Sequence, residues 1–147
     1  MSCPLCLPTK NIVSKRHHWT IVLNDDQGYL GRCYFALNRH ETDLTMLSQA
    51  EREELWELLA ISKTALWQLW QPDHFNYVFL MNVQPHLHGH IIPRYASARE
   101  VEGCTFTDGE LGKHYNLSNI LIPDEKTLEA ISLQIGLTVH SLLEAGQ

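Results

Sequence analysis

Three histidines stand at alternate positions in His86-Leu87-His88-Gly89-His90, between the apolar runs Tyr77 to Met81 and Ile91-Ile92. Flanks of this kind read as buried strand. Side chains alternate along a strand, so the three imidazoles are expected on one face and Leu87, Gly89 and Ile91 on the other. Burying an imidazole without partners is costly, and core packing has no use for three side by side. The pattern therefore calls for a strand bearing groups that attack, donate, accept or ligate near neutral pH. A solvated histidine ladder would not be set between such apolar flanks.

The rest of the chain supplies partners for that strand. His18 to Leu23 reads as a strand, Asn24 to Gly28 as a turn, and Gly31 to Leu37 as the antiparallel return. Ser48-Gln49-Ala50-Glu51 has the form of a capping box and opens a helix expected to reach about Trp70. Leu55, Leu58, Leu59, Leu66, Leu69 and Trp70 form its core-facing stripe, and Trp56 and Trp67 are expected to pack rather than to bind. Pro72 ends it. Strands are expected at about 75–82 and 86–92, joined by Val83-Gln84-Pro85. Residues 96–119 show no period. Pro123-Asp124-Glu125 starts a second helix through Leu128, Ile131, Ile135 and Leu142, weakened by Gly136. The sum is an α+β domain, an antiparallel sheet packed with helices.

Several function classes fall away. The 147 residues make one domain, with a core over about 3–95, an irregular arm over 96–119 and a final helix over about 123–145. A formal charge of −6 argues against a duplex nucleic-acid surface, which needs a basic footprint. No apolar run is long enough to span a bilayer. Residues 1–10 lack the basic start and apolar stretch of a signal peptide, so the expected location is the cytoplasm, with Cys3, Cys6, Cys33 and Cys104 reduced.

From His86 through Arg94 the sequence resembles the histidine-triad (HIT) family, whose signature is three alternating histidines separated by apolar residues. Gly31 and His40 stand at the nine-residue spacing of the family's second strand, and Asn24 falls where members carry an Asn or Asp that binds ribose hydroxyls. The match runs from about Cys3 to Tyr95. The resemblance implies a HIT-like nucleotide-binding fold, usually a homodimer, similar to bacterial members that hydrolyse dinucleoside polyphosphates. It implies that the middle histidine, His88, attacks the α-phosphorus to form a nucleotidyl-histidine. His90 and His86 complete the triad, and Asn82 and Gln84 fall where the family sets amides against phosphate. The expected activity is hydrolysis of a phosphoanhydride or phosphoramidate at the α-phosphate of a nucleotide or dinucleoside polyphosphate. Nucleotidyl transfer to a sugar phosphate and a non-catalytic sensor or adaptor remain as alternatives.

Two departures stand out. Gly89 replaces an apolar spacer, which points to a close backbone approach or a looser strand. Arg32 stands where many members carry a fourth active-site histidine, either as a phosphate clamp or facing away. In the arm, His114 or Tyr115 is a candidate to reach the leaving group. Cys3-Pro4-Leu5-Cys6 alone is a weak motif, since it also suits redox chemistry. A subset of HIT proteins and their uridylyltransferase relatives bind structural zinc through such a pair, the histidine closing the second strand and the first triad histidine. The matching residues are Cys3, Cys6, His40 and His86, two thiolates and two imidazoles of the kind a closed zinc site takes.

Overall fold

The computed structural model describes residues 3–146. Its centre is a five-stranded, wholly antiparallel sheet in the order β1-β2-β3-β5-β4, from β1 (Ile12–Lys15), β2 (Trp19–Leu23), β3 (Cys33–Leu37), β4 (His74–Val78) and β5 (His88–Arg94). Helix α1 (Gln49–Trp70) connects β3 to β4. A two-stranded sheet, β6 (Arg99–Val101) and β7 (Cys104–Phe106), precedes α2 (Glu125–Ala145). The expected α+β class is the observed one.

The two faces of the sheet differ in what they bury. On one, Trp19, Ile21, Leu23, Phe35, Leu37, Leu87 and Ile91 join a core with Leu55, Leu58 and Leu66 of α1 and Ile131, Ile135 and Val139 of α2. The register pairs Tyr34 with His90 and Ala36 with His88 on the opposite face, flanked by Val22 and Val78. Among the described residues no helix covers that face. It is bordered by the N-terminal segment, where Leu23 N–H donates to the Asn11 carbonyl at 2.8 Å, and by the arm, where Gln27 N–H donates to the Leu121 carbonyl at 2.7 Å.

Local rules set the helix ends. Ser48 and Glu51 form the capping box reciprocally, and Glu51 also receives Arg39 at 2.6 Å. The helix stops at Gln71, in the left-handed conformation at φ 46°, directly before Pro72. Asp124 caps α2 by accepting from Thr127 N–H at 2.8 Å. Gly136 does more than weaken that helix. A Cβ there would lie 3.4 Å from the Val13 carbonyl, so the glycine lets β1 lie close.

Four expectations need correction. Trp56 and Trp67 are 72% and 56% exposed, because α1 turns its leucine stripe to the core and this pair to the outside. The strand expected over 75–82 ends at Val78, and Met81 takes φ 50°. His86 precedes β5 rather than lying on it, since its N–H donates back to the Gln84 carbonyl at 2.8 Å just after Pro85. The arm is not wholly irregular: β6 and β7 form a hairpin around Glu102 (φ 50°) and Gly103 (φ 75°), the positive pair a two-residue turn requires.

Candidate active site and metal centre

β5 carries two of the three histidines to the uncovered face. His88 and His90 line a cavity of about 250 Å³, with Arg32, Asn82 and Tyr115 among the other walls. Leu87, Gly89 and Ile91 are buried on the opposite side, as strand alternation requires. A Cβ on Gly89 would fall 2.3 Å from the Phe79 ring, so the glycine spacer accommodates close approach by that aromatic. His86 belongs elsewhere. It is fully buried and turns its ring away from the cavity, towards Cys3, Cys6 and His40.

The divergence of His86 serves His88. His88 Nδ1–H donates to the His86 carbonyl at 2.7 Å, which selects the tautomer whose neutral form carries its lone pair on Nε2. His90 is held neutral: its pKa is pushed down to about 4, first by burial, then by the Arg32 charge and by His88. Its Nδ1 is buried without a partner. Arg32 turns into the cavity rather than away. Its nearest carboxylate, Asp26, is 3.8 Å off, and its buried Nε has no partner. An imidazole held neutral at His90 and an underused cation at Arg32, beside His88, suit a phosphate ester or anhydride.

A second cleft has a volume of about 460 Å³. It is lined by Asn24 and Tyr34 together with Pro4, Leu5, Pro8 and Asn11 of the N-terminal segment. Tyr34, a wall of this cleft, has its ring centroid 6.5 Å from that of His88 and 6.0 Å from that of His90. Asn24 Oδ1 is buried and unpartnered, an acceptor awaiting a donor. Asp25 is engaged by Asn11 Nδ2 at 2.6 Å, and Asp26 caps backbone N–H groups of Gly28 and Leu121. Asn82 lines the histidine cavity but Gln84 does not. Tyr115 reaches the cavity, whereas His114 is exposed with its Nδ1–H donated to the Tyr115 carbonyl.

The other cluster has the geometry of a metal site. Donor atoms of Cys3, Cys6, His40 and His86 all lie within 4.8 Å of one another. The Nδ1 atoms of His40 and His86 are 3.3 Å apart, and Sγ–Nδ1 distances are 3.4 Å (Cys3–His86), 3.5 Å (Cys6–His86) and 3.7 Å (Cys6–His40). A tetrahedron with bonds of about 2.3 Å to sulfur and about 2.0–2.1 Å to nitrogen has edges of about 3.3–3.8 Å. His86 Nε2–H donates to the Leu37 carbonyl at 2.7 Å, fixing the tautomer that leaves Nδ1 free to ligate. The residues fit zinc.

Sequence reasoning missed the supports. Buried Gln27 bonds the Asn24 and Arg32 carbonyls through Nε2 and Gly31 N–H through Oε1, holding the β2–β3 connection. Arg94, at the end of β5, binds Asp108 in a bidentate pair and donates to Asn76 and to the Lys113 and Glu110 carbonyls. That network seats the arm that brings Tyr115 to the cavity. A basic residue in an apolar strand was the one available signal.

No protein-family model and no curated protein matches this sequence. Solved structures do. A hypothetical histidine triad nucleotide-binding protein from Sulfolobus tokodaii is 16% identical over 95% of this chain and 93% of its own, with a TM-score of 0.69. A Zn-bound histidine triad family protein from Mycobacterium smegmatis is also 16% identical, over 98% and 97%, with a TM-score of 0.69. A uridylyltransferase is 24% identical over 90% of this chain but 42% of its own, with a TM-score of 0.62. The α+β fold is thus that of histidine-triad structures.

Proposed function

We propose that the chain is a histidine-triad nucleotide hydrolase that cleaves at the α-phosphate through a nucleotidyl-histidine on His88. The observation that carries this reading is the 2.7 Å bond from His88 Nδ1–H to the His86 carbonyl, which selects the tautomer whose neutral form carries its lone pair on Nε2, with His88 lining the cavity. Nε2 attacks the α-phosphorus, and the leaving-group oxygen departs with the bonding electron pair. Water then attacks the same phosphorus, releasing the monophosphate and returning His88 to its resting state. Splitting the displacement in two is the gain of a nucleophilic side chain.

The other residues take roles according to their surroundings. Arg32 offsets the charge on the transferred phosphoryl group, with Asn82 as an amide donor beside it. Gln84, outside the cavity, acts through its carbonyl on the His86 N–H. His90, titrating near 4, holds a phosphate oxygen by hydrogen bonding and is not a reservoir of protons at pH 7. That favours a phosphoanhydride, whose leaving group is a stable anion, over a phosphoramidate, whose amine must be protonated. A nucleotide or dinucleoside polyphosphate meets the requirement. Its ribose lies at Asn24, where a hydroxyl would satisfy the buried Oδ1. Zinc held by Cys3, Cys6, His40 and His86 supplies a structural cross-link and no chemistry of its own.

Transfer to a sugar phosphate in place of water is the second reading, favoured by the likeness to the uridylyltransferase. The protein acts as a homodimer in the cytoplasm, where its thiols stay reduced. Supporting the dimer, Trp56, Trp67 and Tyr77 are exposed beside the edge strand β4, a face suited to a second copy. The test is turnover of a panel of mononucleotides and dinucleoside polyphosphates, with and without sugar-phosphate acceptors, by wild type and His88→Asn. Release of nucleoside monophosphate by wild type alone supports hydrolysis. Nucleotide binding without turnover makes the protein a sensor and refutes the enzymatic reading.

A further inference from the structure

Asn24 and Arg32 stand opposite each other one step beyond the last β2–β3 pair, Leu23 with Cys33, and Asn24 N–H donates to the Arg32 carbonyl at 3.1 Å. Alternation turns both side chains to the face that bears His88 and His90. Each carries a buried polar atom without a partner, Oδ1 on Asn24 and Nε on Arg32. A pair past the end of a ladder has few backbone bonds to hold it, and here one side chain supplies the rest. Gln27 Nε2 donates to the Asn24 carbonyl at 2.8 Å and to the Arg32 carbonyl at 3.0 Å, while its Oε1 accepts from Gly31 N–H at 2.7 Å. Gln27 is fully buried and lines neither cavity, and every hydrogen-bonding group of its amide is used within this one turn.

We propose that Gln27 is a positioning residue: by fixing Asn24 against Arg32 it sets the spacing at which the site takes a ribose and its α-phosphate together. The inference rests on the nucleotide reading above and adds to it a residue outside the ligand's reach. The hydroxyls and the phosphorus of a nucleotide are joined by a few covalent bonds, so Asn24 and Arg32 can serve both only at a matching separation. Held there, the second contact forms at the high effective concentration that the first provides. With the pair loosened, the site takes either contact but not both, and the phosphorus sits out of place for attack by His88. A misplacement of about 1 Å from a change away from the chemistry can cost about a hundredfold in rate.

The experiment measures equilibrium binding by calorimetry to zinc-loaded wild type, Gln27→Met and Gln27→Glu. Methionine nearly keeps the volume and drops every bond of the amide, whereas glutamate keeps an acceptor for Gly31 N–H and loses at least one of the two donors. The probes are AMP, GMP, CMP and UMP, the 2′,3′-dideoxy form of whichever binds best, and inorganic pyrophosphate. The best nucleotide should weaken by about tenfold in both variants, with pyrophosphate staying within about twofold of wild type. Removing the ribose hydroxyls should cost wild type about threefold to tenfold and the variants less than about twofold, because their ribose no longer meets Asn24 once the phosphate is seated. That lost preference separates positioning from general damage, which would weaken every ligand alike. Thermal melts report folding, and if Gln27→Met unfolds, Gln27→Glu decides. If neither variant folds, Gln27 supports the fold rather than the site and the inference falls. In a folded variant, nucleotide affinity within about twofold of wild type, an intact preference for the hydroxyls, or pyrophosphate weakened equally overturns it while the nucleotide reading stands. If wild type binds pyrophosphate but none of the four nucleotides, both fall.

Discussion

Replacing Arg94 with Met strips the cation from the network that ties β5 to the arm. The Arg94 and Asp108 side chains are 2% and 0% exposed, so the pair lies out of water. Asp108 keeps its bonds from Tyr95 N–H at 3.0 Å and Glu110 N–H at 3.1 Å, but it loses both guanidinium contacts. Removing one partner of such a pair costs about 3–5 kcal/mol, and the surviving backbone donors put the expected loss near 3 kcal/mol. For a chain of this size that is a fall in melting temperature of about 6–12 °C. The Asp108 pKa is lowered: burial pushes it up, but Arg94 and the backbone donors outweigh burial. Its contribution is thus fully present above the ordinary carboxylate range and fades as pH falls through the depressed value. Urea unfolding at pH 7 and pH 3 measures both effects. Wild type should lose more stability than Arg94→Met on acidification. With the arm loosened, Tyr115 leaves the cavity wall and KM should rise more than kcat falls. A stability loss under about 1 kcal/mol at pH 7 would refute the view of Arg94 as the clasp of the arm.

Other positions give independent checks. Gly89→Ala drives a methyl into the Phe79 ring and should cost about 1–3 kcal/mol by denaturant melt, with Gly89→Ala/Phe79→Leu recovering part of it. His90 titrates near 4 in the folded chain against about 6.5 unfolded, so between those values the unfolded state binds the extra proton and stability rises with pH. Wild type should therefore gain up to about 3 kcal/mol relative to His90→Gln between pH 4 and pH 7, and equal slopes would show that His90 is not held neutral.

The parts of this architecture that obey local rules could be read from the chain. Alternation fixed the opposed faces of His88 and Leu87, the capping box fixed the start of α1, and Asp124 the start of α2. What escaped depends on contacts distant in sequence. The period-two rule assigned His86 to the strand, yet Pro85 and the turn back to Gln84 divert it, and its ring finds Cys3 and Cys6 some eighty residues away. The β6–β7 strands are three residues each, too short to display a period. Trp56 and Trp67 look like core residues in composition, but their place on α1 puts them outside. The roles of Arg94 and Asp108 arise only when the arm folds back onto the sheet, and Gln27, whose side chain bonds groups within five residues, belongs to no recurring pattern.

The proposed reaction needs His88 Nε2 as the nucleophile, and chemical trapping tests this most directly. Wild type mixed with an α-labelled dinucleoside polyphosphate and quenched in base within one turnover should carry label on protein. The adduct should be acid-labile and base-stable, as a phosphoramidate is, and should map to His88. His88→Asn, folded and binding the same nucleotide, should carry none. Label-free wild type turning over under single-turnover conditions, or His88→Asn at near wild-type rate, would contradict it.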